Sequence, residues 1–193
     1  LWASVVLPPV IAKLHESFPN LTVEMTPSTG TSMAALLDGR IDVSFGGLYA
    51  PDRHHPQLES RAFSVIRDRV TARADHPIQQ CDPGDFAVVH NYPWIIYAAD
   101  PIYEAETLHA VMERTGALPQ VRVRSTSLLA IFRLLECGNY LCILPDAAVD
   151  GIPGHPISPV PLELGRRNSE TGALYRRAIE AEPAMWCAAR SRA

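Results

Sequence analysis

Two short runs of hydroxyl residues, Ser28-Thr29-Gly30-Thr31 and Ser125-Thr126-Ser127, each fall between an apolar alternating stretch and an amphipathic one. That is the turn from a strand into a helix. The first backbone N–H groups of a helix have no intrahelical acceptor and its dipole is positive there, so such a turn attracts carboxylate or phosphate oxygens. Neighbouring hydroxyls add donors. In a parallel α/β sheet these turns lie at the carboxyl ends of the strands, where ligand clefts form. The plainer alternative is that these side chains only cap their helices, as Ser and Thr commonly do; two equivalent turns favour a shared ligand.

Other chemistry finds little footing. There is no Gly-x-Ser-x-Gly elbow, and no Ser or Cys stands beside a His with an orienting acid, so no catalytic residue is expected. The seven histidines, His54 and His55 among them, lack metal-ligand spacing. Asp38, Asp42, Asp146 and Asp150 fall at element ends, where solvated or capping carboxylates are ordinary. With no phosphate-binding glycine loop either, neither a cofactor nor a metal is expected.

The elements that must position the hydroxyl runs repeat. Leu7, Val10, Ile11, Leu14 and Phe18 form a helical stripe ended by Pro19, and Leu21, Val23 and Met25 alternate as a strand. A helix through Met33, Leu36 and Leu37 follows, closed by Gly39, then a strand over Ile41–Phe45. The second block carries a helix with Leu108, Val111 and Met112 stopped at Gly116, a strand at Val121 and Val123, a helix with Leu128, Ile131, Phe132 and Leu135 capped by Gly138, and a buried strand from Tyr140 to Leu144 stopped by Pro145. From Phe18 to Gly39 is 21 residues, and from Gly116 to Gly138 is 22. Two similar lobes, each with parallel strands joined by right-handed crossovers, are the economical reading. Phe63 to Arg73 reads as strand crossing between lobes, Gly151 to Pro161 as loop and edge strand, and Ala173 to Arg192 as partly helical, interrupted at Pro183.

A net charge of −4 over 193 residues gives no basic surplus to drive nucleic-acid or anionic-lipid binding. No apolar run approaches the roughly 20 residues that span a bilayer. The opening Leu1-Trp2-Ala3-Ser4 has neither an initiator Met nor a charged leader and reads as the start of a fragment. Of Cys81, Cys137, Cys142 and Cys187, at least three are expected buried and all reduced, in a cytoplasmic protein. Cys137 and Cys142 lack the spacing of a redox or zinc pair.

The order of these motifs resembles the effector-binding domain of LysR-type transcriptional regulators, relatives of the two-lobed periplasmic binding proteins. The likeness covers nearly the whole chain. It is carried by Leu7-Pro8 through Leu14, Phe18-Pro19, Leu36 through Val43, His76-Pro77, and Glu136 through Pro145. It implies an α/β fold of two Rossmann-like subdomains joined by two crossing strands, with an inducer in the cleft between them: residues 1–68 and 169–193 in one, 69–168 in the other. It implies effector contacts from Ser28, Thr29, Gly30 and Thr31 and from Ser125, Thr126 and Ser127, with Tyr97 near the second lobe's cleft wall. It further implies a homodimer or homotetramer that uses the first helix, and DNA binding only through an N-terminal helix-turn-helix domain that this sequence lacks. One departure stands out: the family has a strand before the first helix, whereas this chain opens at that helix. The expected function is therefore sensing of a small carboxylate, phosphate or similar metabolite without transforming it. The alternatives are a transport-type solute-binding protein of the same fold and an enzyme on the same scaffold.

Overall fold

The computed structural model describes residues 1–26, 33–48, 55–98, 101–164 and 169–179. The chain divides into two compact units, Leu1–Val65 with Ser169–Ala193, and Ile66–Asn168. It therefore passes from one to the other twice.

In the first unit a π-helical turn, Trp2–Val6, runs directly into α1, Leu7–Ser17, so the helix begins at Trp2. The widened turn sits just ahead of Pro8 and Pro9, whose rings crowd the carbonyls four residues back and whose nitrogens donate nothing. Phe18 leaves helical geometry because Pro19 follows it. α1 buries Leu14, while Val10 and Ile11 are only half-buried. The Trp2 ring packs on Phe45 and Phe63 at centroid distances of 5.3 and 6.1 Å.

The strand expected over Leu21–Met25 does not form: these residues are irregular, with Val23 and Met25 39% and 47% exposed. Alternation alone makes no strand without a ladder partner, and among the described residues none pairs with this stretch. After α2, Met33–Leu37, Gly39 adopts the left-handed φ of +74° that a helix-terminating glycine supplies. β1 (Val43–Gly47), β8 (Ser169–Arg176) and β2 (Leu58–Ile66) form a sheet in the order β1-β8-β2. β1 runs antiparallel to β8. Against β2, Thr171 meets Ser64 while Arg177 N–H reaches the Gln57 carbonyl, which reverses the direction again. The parallel sheet inferred for this lobe is thus replaced, among the described residues, by strands that alternate in direction. The helical reading of the tail also fails at Ala173–Arg176, which lie in β8. As the central strand, β8 is buried at Thr171 through Tyr175 and shows no period to read. Gly172 is required there, since a Cβ would fall on the Arg61 carbonyl of β2. Leu36, Leu58 and Leu174 close the small core.

The second unit is a mixed sheet with helices between its parallel strands. The crossing stretch resolves into β2 and β3, Asp68–Arg73, with Arg67 between them. β3 pairs antiparallel with β6, Cys142–Pro145, and with the edge strand β7, Ile157–Pro159. β4, Trp94–Tyr97, lies parallel to β5, Val121–Ser125, and a parallel bridge from Trp94 to Leu141 joins this pair to β6. α3, Pro101–Thr115, connects β4 to β5, and α4, Leu128–Cys137, connects β5 to β6. The second is the expected strand–helix–strand crossover, whereas β4, and with it the first, was not expected. α4 buries Leu128, Ile131, Phe132 and Leu135, the stripe the sequence shows. A short α5, Asp146–Gly151, follows Pro145 directly and was not expected. Gly116 takes φ +77° after α3, but Gly138 after α4 is extended, and a Cβ there would require the Tyr140 ring to shift.

Burial of the cysteines departs from expectation. Cys142 is buried, Cys81 half-buried and Cys137 exposed, all three as free thiols, and Cys187 lies outside the described residues. Cys137 is the last residue of α4, on the side away from the buried stripe. Among the described residues no helix is long and apolar enough to cross a membrane.

Candidate functional site

β4, β5 and β6 are parallel, so Tyr97, Ser125 and Pro145 end on one edge of the second unit's sheet. Tyr97 is paired with Ser125, and the Ala98 N–H donates to the Ser125 carbonyl at 2.9 Å. The chain then turns through Thr126 into α4, and the geometry assigns each hydroxyl a distinct task. Ser125 Oγ accepts from the Ser127 N–H at 3.1 Å and so shapes the turn. Ser127 is the N-cap, its Oγ accepting from the Ala130 N–H at 3.3 Å. Thr126 and Ser127 are exposed and Ser125 half-buried. The first-turn N–H groups of Leu128 and Leu129 have no acceptor within the helix. The edge thus presents backbone donors, a positive helix end and exposed hydroxyls, a combination suited to a small oxygen-rich ligand.

Beside the expected Tyr97, polar groups to which the sequence assigned no role at the site stand on the same edge. Tyr97 is 8% exposed, and its ring meets the edge of the Tyr103 ring at 5.8 Å. The Tyr103 hydroxyl donates to Asp68 Oδ1 at 2.9 Å. Asp68, 1% exposed, pairs across the sheet with Pro145. Arg124 Nε donates to Glu104 at 2.6 Å, holding β5 to the start of α3. Asp146 begins α5; burial raises its carboxyl above the ordinary range, against the pull of Arg69 at 3.9 Å. The available signals were Asp68 among the charges that punctuate the crossing strand, and Tyr103 in the first turn of a helix opened by Pro101. Neither identifies a partner until the topology is known.

The run Ser28, Thr29, Gly30 and Thr31 lies outside the described residues. The first unit does show a shallow hollow lined by Leu37, Pro56, Gln57 and Arg176 to Ala178. Its Arg176 is already committed, donating to the carbonyls of Leu36 and Ile41 at 2.6 and 2.8 Å and to Asp42 at 2.9 Å.

No group of three potential metal ligands comes together among the described residues. His76 is buried, accepting from the Ile78 N–H on Nδ1, and burial lowers its pKa. His155 is paired with Glu136, which also takes Arg133 at 2.7 Å. Burial pushes the Cys142 thiol far up, so it is inert as a nucleophile.

Two helix-and-strand units between which the chain passes twice, the second with the capped N-terminus of α4 at the end of a parallel strand, have the make-up of an effector-binding domain of the type 2 periplasmic-binding-protein-like fold. The sequence matches the LysR substrate binding domain over residues 1–190, and the chain belongs to that family. Among solved structures it is similar to the cofactor-binding domain of the Cbl transcriptional regulator, with a TM-score of 0.78 and 17% identity over 97% of this chain and 81% of that one. The C-terminal domain of a probable LysR family regulator from Rhodococcus sp. RHA1 gives 0.73 and 17%, over 97% and 91%. The effector-binding domain of QuiR, solved in complex with shikimate, gives 0.70 and 11%, over 97% and 88%. At these identities the likeness is one of fold. Against the full-length BenM E226K mutant the chain spans 61% of the longer protein. No protein of curated function matches it.

Proposed function

We propose that this chain is the sensing part of a LysR-type regulator and takes a small carboxylate, phosphate or similar metabolite without transforming it. The observation that carries the reading is the turn from β5 into α4. Its two flanking serines are spent on holding the turn, which leaves the exposed Thr126 and first-turn N–H groups without intrahelical acceptors at the strand end beside Tyr97. The matching run Ser28 to Thr31 is proposed as a second contact on the sequence equivalence alone. In this reading the chain acts in the cytoplasm as a homodimer or homotetramer through α1, whose Val10 and Ile11 are incompletely covered, and reaches DNA through a separate N-terminal domain.

The test is a thermal-shift screen of small carboxylates and phosphates that includes shikimate, followed by amide NMR mapping of any stabilising compound. Binding adds stability in proportion to the logarithm of ligand concentration over Kd. The reading expects the largest shifts at Tyr97, Ala98 and Ser125 to Leu129. Shifts confined to other segments would refute it. Sedimentation of the purified chain tests assembly, where a strict monomer at high concentration would count against the oligomer.

A further inference from the structure

The site described above depends on where the end of β4 lies, and that end is held from the side by a buried polar pair. Tyr97 is the last residue of β4, and Ala98 beyond it supports the hydroxyl turn through its hydrogen bond to the Ser125 carbonyl. A ring 8% exposed has few ways to move, and the Tyr97 ring stands edge-on against Tyr103 at 72°. Tyr103 is itself 9% exposed and is oriented through its hydroxyl by Asp68, 1% exposed. A carboxylate so deeply buried is costly, and its retention needs hydrogen bonds that fix it in place. Asp68 is also the first residue of β3, three residues beyond Val65, where the first unit ends.

We infer that Asp68 and Tyr103 are positioning residues for the ligand turn. Asp68 fixes the Tyr103 hydroxyl, Tyr103 fixes the Tyr97 ring, and Tyr97 with Ala98 sets the height of Ser125-Thr126-Ser127 against the N-terminus of α4. Neither Asp68 nor Tyr103 touches the ligand. The inference rests on the proposed ligand turn, yet its geometric content is measurable without any ligand.

The experiment is amide NMR on the whole chain with Tyr103→Phe, which removes one hydroxyl and keeps the ring, and Asp68→Asn, which keeps an oxygen acceptor. Tyr103→Phe should displace or broaden the amide signals of Ala98 and Ser125 to Ser127 while Val160, in the same unit's core, stays in place. Asp68→Asn should largely preserve them. Unmoved signals at Ala98 and Ser125 to Ser127 in Tyr103→Phe would overturn the inference, as would equal displacement in the two variants. Should Tyr103→Phe fail to fold, Asp68→Ala, which removes the acceptor, takes its place: a displaced turn would support the inference, and an unmoved one would overturn it. Titration with shikimate and with inorganic phosphate then separates the two proposals. If a probe binds, Tyr103→Phe should weaken it by about fivefold, roughly one lost hydrogen bond's worth of positioning. If a probe binds elsewhere, the ligand turn fails, while the displaced signals would still uphold the positioning chain.

Discussion

The described parts of the two units solve one packing problem in different ways. In the second, three parallel strand segments and two crossover helices bury a continuous apolar core from Val70 through Leu164. In the first, the described strands pair antiparallel around β8, Leu36, Leu58 and Leu174 form one small cluster with three half-buried neighbours, and Val23 and Met25 stand exposed. The contrast teaches that a helix-and-strand grammar becomes a sheet only where each strand finds a ladder partner. The hydroxyl turn of the second unit lies between two such elements, β5 and α4.

Substitutions should expose this difference most strongly in the cores. Phe132→Ala removes a fully buried ring from α4 and should cost about 3–5 kcal/mol in denaturant unfolding. A cost near zero would deny that this unit is tightly packed. Gly172→Ala drives a methyl group into the Arg61 carbonyl and should destabilise by about 2–3 kcal/mol, mainly by separating β8 from β2. A variant as stable as the parent would show that the first unit's strands are loosely joined. Ser127→Ala removes a helix cap at a cost of about 1 kcal/mol and should be visible as a lower Tm. Met25→Ala, at an exposed position without a strand, should stay within about 0.5 kcal/mol. A larger loss there would mean that the segment is covered in solution.

A pH titration sharpens the same contrast, because His76 belongs to the second unit alone. Burial lowers its pKa below the ordinary 6.5, so between the lowered value and 6.5 the unfolded chain binds more protons than the folded one. Stability from this group is therefore complete above 6.5 and declines as pH falls through that window. His76→Gln, measured by thermal unfolding, should flatten that part of the profile. An unchanged slope would assign the acid sensitivity to other groups.

Much of this was legible in the sequence. The apolar stripe at Leu128, Ile131, Phe132 and Leu135, the stops at Gly39 and Gly116, and the strand ending at Pro145 are local signals, and local geometry honours them. Ala173 to Arg176 were misread because a central strand buried on both faces carries no alternation, and Leu21 to Met25 because alternation says nothing about a partner. In the site, Ser125 and Ser127 were legible as residues of a helix-starting turn. Their division of labour with Thr126 was not, since it depends on which N–H each oxygen reaches. Asp68 and Tyr103 were invisible for a stronger reason: they are 35 residues apart and meet only when β3 and α3 are placed on one sheet.

The central claim is that the second unit's hydroxyl turn receives the ligand. A crystal structure of the chain with a compound selected by the thermal-shift screen tests it most directly. The account predicts a ligand oxygen within hydrogen-bond reach of the N-terminal N–H groups of α4 and of the Thr126 hydroxyl. A bound ligand that touches none of Tyr97 and Ser125 to Leu129 would contradict it.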